Sequence, residues 1–433
     1  MYYFIGIKGS GMASLACILK DCGYDVCGSD IDKEIFIQKN LEAKEIPFYS
    51  FDKNNIKDGM KVIIGNAFDD SNEEVKEALA NPTVTTYTYP QFLGHLVEQY
   101  HSICVCGTHG KTGTTGLLSH VLERMSPTGY LIGDGSGYMP KEGKNFVLEA
   151  CEYKRNFLAY HPDYTLLLNI ELDHVDYYHD MDDYLDAFET FANQAKKGVA
   201  VFGDEENTHK IKIDVNHLFY GLKDTNDVYA KNIVEDTTGV HFDCMVKNEF
   251  FAHFELPLFG LHLLYNALGV ITIGIMNGLS TSLLQEAMAS FEGVKRRFNI
   301  EENGDNIYID DYAHHPTAIK FTIEAAKQKY PKHKIVAVFK PDRFSRIEYF
   351  LKEFKTAFQE ADEVYFCDFP ENQKREEGIN VTIEDLQNQV EKSKIIQEDE
   401  TSAMYLANRG PAVYLFMSSK DIYKLKNKMK NFQ

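Results

Sequence analysis

A chain of 433 residues is long enough for about two or three domains. Its 44% hydrophobic and 25% charged residues are the balance of an ordinary globular protein, which excludes a disordered, collagen-like or membrane-spanning chain. Forty-five basic against 65 acidic residues, a net charge of −20, disfavour nucleic acid and anionic membranes, while a small phosphorylated ligand needs only a few local donors.

Tyr2–Ile7 predicts a buried strand, reached with no signal-peptide core before it, so a cytoplasmic protein is expected. A glycine turn follows, then a helix over Met12–Asp21 with Leu15, Ala16, Ile18 and Leu19 on one face. Asp25–Ser29 returns as a second strand and Lys61–Gly65 as a later one, the opening of a doubly wound α/β domain. A second opening is the strand Ser102–Cys106, which runs through a glycine loop into a helix over Leu117–Met125. Strands are predicted after it at Asn145–Glu149, Thr165–Ile170 and Gly198–Phe202. The third opening is the strand Asn306–Asp311, then a helix over Pro316–Tyr330 and a strand Lys334–Phe339. A helix Ser345–Ala361, a strand Glu363–Asp368, a helix Ile383–Val390 and a strand Ala412–Met417 complete a mostly parallel α/β pattern. The expected fold is therefore α/β in three domains: residues 1–98 Rossmann-like, 99–294 a central P-loop domain with a mostly parallel sheet, and 295–433 Rossmann-like. Eight cysteines, none in a C-x-x-C pair, are expected to be reduced thiols, most of them inside apolar segments.

The strongest chemical signal is Gly107-Thr108-His109-Gly110-Lys111-Thr112, set between a strand and a helix. Its backbone amides can wrap phosphates, Lys111 can reach the β- and γ-phosphates, and the Thr112 hydroxyl can ligate Mg²⁺. Val105 stands where a full Walker loop has its first glycine, so this is the compact form. Gly6-Ile7-Lys8-Gly9-Ser10-Gly11 lets backbone approach a diphosphate at a helix N-terminus, and Asp30 closes the second strand where a sugar or base would lie. The same turn could equally do no more than pack helix on sheet. Glu149 and Glu152 end the strand beside the phosphate loop, where a hard oxygen suits Mg²⁺, and His174 ends the next. Lys295, Arg296 and Arg297 at the second boundary suggest a clamp on phosphates or a carboxylate, with a solvated basic linker as the alternative. Asp311, His314 and His315 end the first strand of the third domain, and Arg343 follows a later strand as a candidate carboxylate binder.

In their order along the chain these segments resemble the Mur ligases. The resemblance rests on G-I-K-G-S-G-M at the start, G-S-D at 28–30, G-T-H-G-K-T at 107–112, E-A-C-E-Y at 149–153 and N-I-E-L-D-H at 169–174. It continues with H-x-x-x-N at 262–266, G-V-K-R-R-F at 293–298 and D-D-Y-A-H-H-P at 310–316, so it covers essentially the whole chain. It implies an N-terminal domain for a UDP-sugar, a central ATPase, and a C-terminal domain that closes on an amino acid. It implies UDP-sugar contacts at Gly9, Ser10, Gly11 and Asp30, and ATP contacts at Gly107, Thr108, His109, Gly110, Lys111 and Thr112. Asn266 would read adenine, Arg297 the phosphates and Asp311 the ribose. Thr112, Glu149 and His174 would hold Mg²⁺; His314, His315 and Arg343 would line the place where acceptor carboxylate and amino acid meet.

The implied activity is ATP-dependent joining of L-alanine to the lactyl carboxylate of UDP-N-acetylmuramate through an acyl phosphate, in peptidoglycan precursor synthesis. Joining a preformed peptide is the alternative within the family. A P-loop switch NTPase is the alternative outside it, without an N-K-x-D guanine-reading sequence in its favour. A nicotinamide oxidoreductase would leave the central loop unexplained. Monomer and homodimer both stay open. Four places depart from the family pattern: Gly113 after the loop, Leu263 after His262, Phe339-Lys340-Pro341-Asp342-Arg343 in place of F-Q-P-H, and Met417-Ser418-Ser419-Lys420-Asp421 in place of M-G-A-G-D.

Overall fold

The computed structural model describes the whole chain except Phe36, Lys295, Arg296, residues 371–374, Glu377, Asp421 and Gln433. Two of the three cations expected to form a clamp, and the last residue of the altered 417–421 run, therefore lie outside the described residues. No described helix is long and apolar enough to cross a membrane.

Three sheets organise the chain, and in each the chemistry follows from parallel pairing. The first is five-stranded and all parallel, in the order Phe48–Tyr49, Val26–Ser29, Tyr2–Ile5, Lys61–Ile64, Thr85–Thr88. Tyr3, Phe4 and Ile5 are buried, as expected of a parallel strand covered on both faces. The chain winds outward on both sides of Tyr2–Ile5. That reversal opens a crevice beyond its carboxyl end, where the turn Gly6–Gly9 leads into the helix Ser10–Asp21. Gly6 has φ +83, and a Cβ there would lie 2.2 Å from the Phe68 ring, so only glycine fits the turn.

The second sheet has ten strands, in the order Gly137–Tyr138, Thr128–Leu131, Asn145–Glu149, His101–Cys106, Tyr164–Leu167, Gly198–Phe202, His217–Gly221, Val228–Asp236, Gly239–Val246, Glu249–Leu256. From Thr128–Leu131 to Val228–Asp236 neighbouring strands run parallel, and winding reverses at His101–Cys106. The third sheet runs Asn299–Asn303, Asn306–Asp311, Val413–Met417, Ile335–Phe339, Glu363–Cys367, Ser393–Ile396, with the first pair an antiparallel hairpin and the rest parallel.

The chain packs as two compact units. One comprises Met1–Lys231, Cys244–Ala252 and Tyr265–Met288; the other Asn232–Asp243, His253–Leu264 and Ala289–Gln433. Within the first unit the first two sheets share one apolar core, so residue 98 does not fall in a gap in packing. The helix Ser10–Asp21 lies against the edge strand Gly137–Tyr138 so closely that a Cβ on Gly137 would sit 2.1 Å from the Ser14 carbonyl oxygen. Asn40 Nδ2 donates to Gly135 O at 2.8 Å across the same seam.

The predicted strands Asn145–Glu149, Gly198–Phe202 and Asn306–Asp311 are found with those bounds. Thr165–Ile170 is shorter, Tyr164–Leu167, and the residues beyond it form the loop that carries His174. The predicted helix Ser345–Ala361 is instead two short helices, Phe344–Tyr349 and Glu353–Ala357. Phe344 and Phe350 would lie about 120° apart on one straight helix. Both are buried, Phe344 against Phe369 and Phe350 against His315, and the break between the helices allows that.

One glycine tests how tightly these layers are seated. Gly94 lies inside the helix Tyr89–Val97, where alanine is ordinarily better by up to about 1 kcal/mol. A Cβ there would lie 2.2 Å from the Ala159 carbonyl oxygen, a backbone atom with no rotamer to move. Overpacking of this kind costs about 1–3 kcal/mol and outweighs the propensity gain. Gly94→Ala is therefore expected to lower the urea midpoint of the full chain. A raised midpoint would mean the helix can slide off residue 159.

Candidate active site

Strand His101–Cys106 delivers the chain to a loop that cannot be built from ordinary residues. Gly107 has φ +133, with Leu168 Cβ 2.8 Å from where its own Cβ would stand. Gly110 has φ +86 and caps the helix Lys111–Glu123; its missing Cβ is replaced by the Asn266 amide, 3.0 Å away. The expected adenine reader Asn266 is thus buried beside the phosphate loop. Thr108 Oγ1 donates to Glu171 O at 2.7 Å, and the His109 amide donates to Asn169 Oδ1 at 2.8 Å. His109 Nε2 lies 2.8 Å from Glu171 Oε2. The loop is thereby anchored to the segment after strand Tyr164–Leu167, and the helix N-terminus behind it is a place for an anion.

Lys111 lies in the mouth of the loop. Its ammonium donates to Gly107 O and to Thr108 O, the latter at 3.1 Å, and stands 2.9 Å from Glu152 Oε2. Burial alone would pull its pKa down; the attraction of Glu152, with Cys151 and Glu149 adding to it, wins and holds Lys111 above the ordinary lysine value. Glu152 mirrors this. Burial would raise its carboxyl, but Lys111 and His174 hold it below the usual value.

Thr112 Oγ1 donates to Glu149 Oε2 at 2.9 Å, and the Gly133 amide donates to the same oxygen at 2.9 Å. Two cis ligands of an octahedral ion bound at 2.0–2.1 Å are about 2.9 Å apart, so this oxygen pair fits Mg²⁺. His174 has φ +54, an uncommon conformation for a side-chain-bearing residue. Its amide is fixed by Asp173 Oδ1 at 2.7 Å, and its Nε2 lies 3.4 Å from Glu152 Oε1. Lys111, Thr112, Glu149 and His174 thus lie close together, Thr112 on Glu149 and both Lys111 and His174 on Glu152. The sequence marked Glu152 only as a second acid near the loop, and its ion pair with Lys111 was not foreseen.

At the edge of the first sheet, Gly9 caps the helix Ser10–Asp21, whose first-turn amides have no partners within the helix. Gly11 packs closely under Tyr89, since a Cβ would lie 2.5 Å from Tyr89 Oη. Asp30 accepts the Lys8 amide at 2.7 Å and the Ile31 amide at 2.8 Å. It borders a cavity of about 490 Å³ lined also by Lys8, Asp32, Gln38, Phe48 and Tyr49. Lys8 Nζ reaches the Ile31 and Lys33 carbonyls at 2.9 and 3.1 Å and fixes the loop that follows Asp30.

In the second unit the carboxyl ends of three parallel strands are laced together. The Ser418 amide donates to Asp311 O at 3.1 Å, the Lys340 amide to Met417 O at 3.1 Å, and Ser418 Oγ to Lys340 O at 2.8 Å. Asp311 accepts the Phe298 and Ala313 amides at 2.9 and 2.7 Å. Burial pushes its carboxyl up against the opposing pull of Arg297, whose guanidinium lies 4.9 Å from the Tyr312 ring centre. His314 Nδ1 is 2.9 Å from Tyr312 O. His315 is 2% exposed and caps the helix Pro316–Lys329, its Nδ1 accepting the Thr317 amide at 3.3 Å. His262 stacks on Phe321, and burial, with Arg297 nearby, pulls its pKa down to about 4.

Arg343 is half-buried at the start of the helix Phe344–Tyr349. Its neighbour Asp342 pairs with Arg346 one helical turn on, at 2.9 and 3.0 Å. Ser419 Oγ adds a bond to Asp342 at 2.8 Å. The two departures in the third domain are therefore one structure: Asp342 of the first is held by Ser419 of the second, and the Lys340 carbonyl by Ser418. The signal available in the sequence was the i, i+4 spacing of Asp342 and Arg346.

Comparison with known proteins yields three adjacent family models along the chain. Residues 1–101 match one described as "Mur ligase family, catalytic domain", residues 105–274 the "Mur ligase middle domain" and residues 296–419 "Mur ligase, glutamate ligase domain". Among solved structures, a UDP-N-acetylmuramate-alanine ligase from Thermotoga maritima is 24% identical over 100% of this chain and 99% of its own, with a TM-score of 0.81. A murein peptide ligase from Psychrobacter arcticus is 23% identical over 100% and 98%, with a TM-score of 0.73. A MurF ligase from Thermotoga maritima in complex with ADP is 18% identical over 88% and 96%, with a TM-score of 0.68.

The Asp342–Arg346 pair generates a pH prediction. Burial would raise the Asp342 carboxyl; Arg346 first, then His314 and Ser419, hold it well below the usual range. A carboxyl depressed in the folded state stabilises above its unfolded pKa of about 3.9, and that contribution is lost as pH falls through the folded value. Asp342→Asn breaks this buried ion pair by removing one of its charges, a loss of about 3–5 kcal/mol. Unfolding of parent and variant should differ most at neutral pH and converge as pH is lowered below about 4. Parallel curves down to the lowest accessible pH would mean that the charge of Asp342 is not what stabilises the pair.

Proposed function

The chain belongs to the Mur ligase family, and we propose that, as an ATP-dependent ligase of that family, it joins L-alanine to the lactyl carboxylate of UDP-N-acetylmuramate. The observation that carries the ATP half is the loop at 107–112, with Lys111 in its mouth and the Thr112–Glu149 oxygen pair 2.9 Å apart beside it. The likeness to the alanine ligase over the full length of both chains supports the substrate half. Residues 1–98 would take the UDP-sugar through Gly9, Ser10, Gly11 and Asp30, residues 99–294 the ATP, and residues 295–433 the amino acid.

In this reading a carboxylate oxygen of the muramate attacks the γ-phosphorus of ATP. The bond to the bridging oxygen breaks, ADP leaves, and an acyl phosphate remains. The amino group of L-alanine, having given up its proton, attacks the acyl carbon, and inorganic phosphate departs as the amide forms. Lys111 and Arg297 offset the charge of the transferring group, and the amides of the loop fix its position. Thr112, Glu149 and His174 would hold Mg²⁺, which supplies further charge compensation at the phosphates when bound. Asn266 and Asp311 would serve adenine and ribose, and His314, His315 and Arg343 the meeting place of acceptor and amine.

Addition of a preformed peptide is the second reading. The likeness to the murein peptide ligase supports it, as does the altered network around Asp342 and Ser419. Phosphate release from ATP with UDP-N-acetylmuramate and one amine at a time separates the two. The expected result is the highest kcat/KM with L-alanine; turnover confined to an alanyl peptide would replace the first reading with the second. Lys111→Ala should lower ligation at least about a hundredfold. Ligation within a few-fold of the parent in a folded variant would remove the phosphate-loop assignment.

A further inference from the structure

Glu152 lies three residues beyond the expected metal ligand Glu149, and the proposed reaction gives it no task. It is 1% exposed, so its carboxylate is among the most expensive groups in the molecule to keep charged. Its place is set by the main chain, because the Tyr178 hydroxyl donates to the Glu152 carbonyl. Its two oxygens stand 3.1 and 2.9 Å from the Lys111 ammonium, and one stands 3.4 Å from His174 Nε2. The ammonium has three protons, and around it are three acceptors: Gly107 O, Thr108 O and Glu152. Two belong to the loop backbone and are fixed; the third is an anion. A phosphate arriving at the loop competes for the lysine with Glu152.

We propose that Glu152 is the positioning residue of the phosphate loop, holding Lys111 across its mouth when no nucleotide is bound, yielding it to phosphate, and reclaiming it as ADP leaves. Binding is then an exchange of one anion for another on the same ammonium. The site is spared an unpaired buried cation at every stage. The exchange also limits how tightly product is held, and in many ligand-closing enzymes release rather than chemistry sets the turnover rate. This inference rests on the nucleotide reading of the loop.

The test is Glu152→Gln in the full chain, a change that keeps shape and removes charge. ADP affinity, measured by calorimetry without metal, should rise on the order of tenfold, the size of one charge-assisted hydrogen bond no longer contested. Steady-state kcat should fall while the single-turnover rate of ADP formation stays near the parent's, because release has become slow. The gain in ADP affinity should vanish when Lys111 is alanine in both members of the comparison. A residue that merely supported the loop would weaken ADP when altered, so unchanged or weaker ADP binding in folded Glu152→Gln overturns the proposal. Should that variant not fold, Glu152→Asp withdraws the carboxylate from Lys111 and should tighten ADP in the same sense, with the same contrary outcome. Failure of the parent itself to bind ADP would instead refute the nucleotide reading.

Discussion

Parallel strand pairing is the constraint from which the rest follows. Two neighbouring parallel strands cannot be joined by a tight hairpin, so the chain crosses back and every strand of a set ends at the same edge. In all three sheets the residues proposed for chemistry lie at that edge: Gly9 to Gly11 and Asp30 in the first, Gly107 to Thr112, Glu149 and His174 in the second, Asp311 in the third. The loops vary freely because the buried strands carry the stability. Tyr3 to Ile5, Ile103 to Cys106 and Val336 to Phe339 are 0–1% exposed.

Much of this was legible in the sequence because glycine and the residues after it have few physical explanations. A strand running into G-T-H-G-K-T predicts a tight turn into a helix N-terminus, and the positive φ of Gly107 and Gly110 gives the reason glycine stands at those two places. The parts that were not legible failed for physical reasons too. The helix Leu261–Met276 has Leu264, Ala267, Leu268, Val270, Ile271 and Ile273 all buried. An apolar run without a polar face shows no helical period. Glu149 and Glu152 are the same residue type at the same strand end. Only the bend between them decides that one shares its oxygen with Thr112 and the other with Lys111. Arg343 drew attention as the cation of an altered loop, whereas the partner of Asp342 is Arg346, three positions further along the chain.

The departures in the third domain illustrate how a substitution is tolerated. A buried carboxylate at 342 is costly alone, yet Arg346 and Ser419 satisfy it, and Ser418 bonds the neighbouring Lys340 carbonyl. The two altered runs are nearly eighty residues apart in sequence and adjacent in space. Each run thus presents a polar atom that the other satisfies.

The contact between Gly137 and Ser14 has a consequence for modularity. A helix that begins at one glycine turn is pressed onto the edge of the next sheet with no room for a methyl group. The first two sheets therefore cannot be traded independently between relatives as though they were beads on a string. A foreign first sheet would have to arrive with the same helix surface, and a foreign second sheet with the same bare backbone at position 137. Recombination at residue 98 would cut through a shared interior, and chimeras that respect this seam would inherit both sheets or neither.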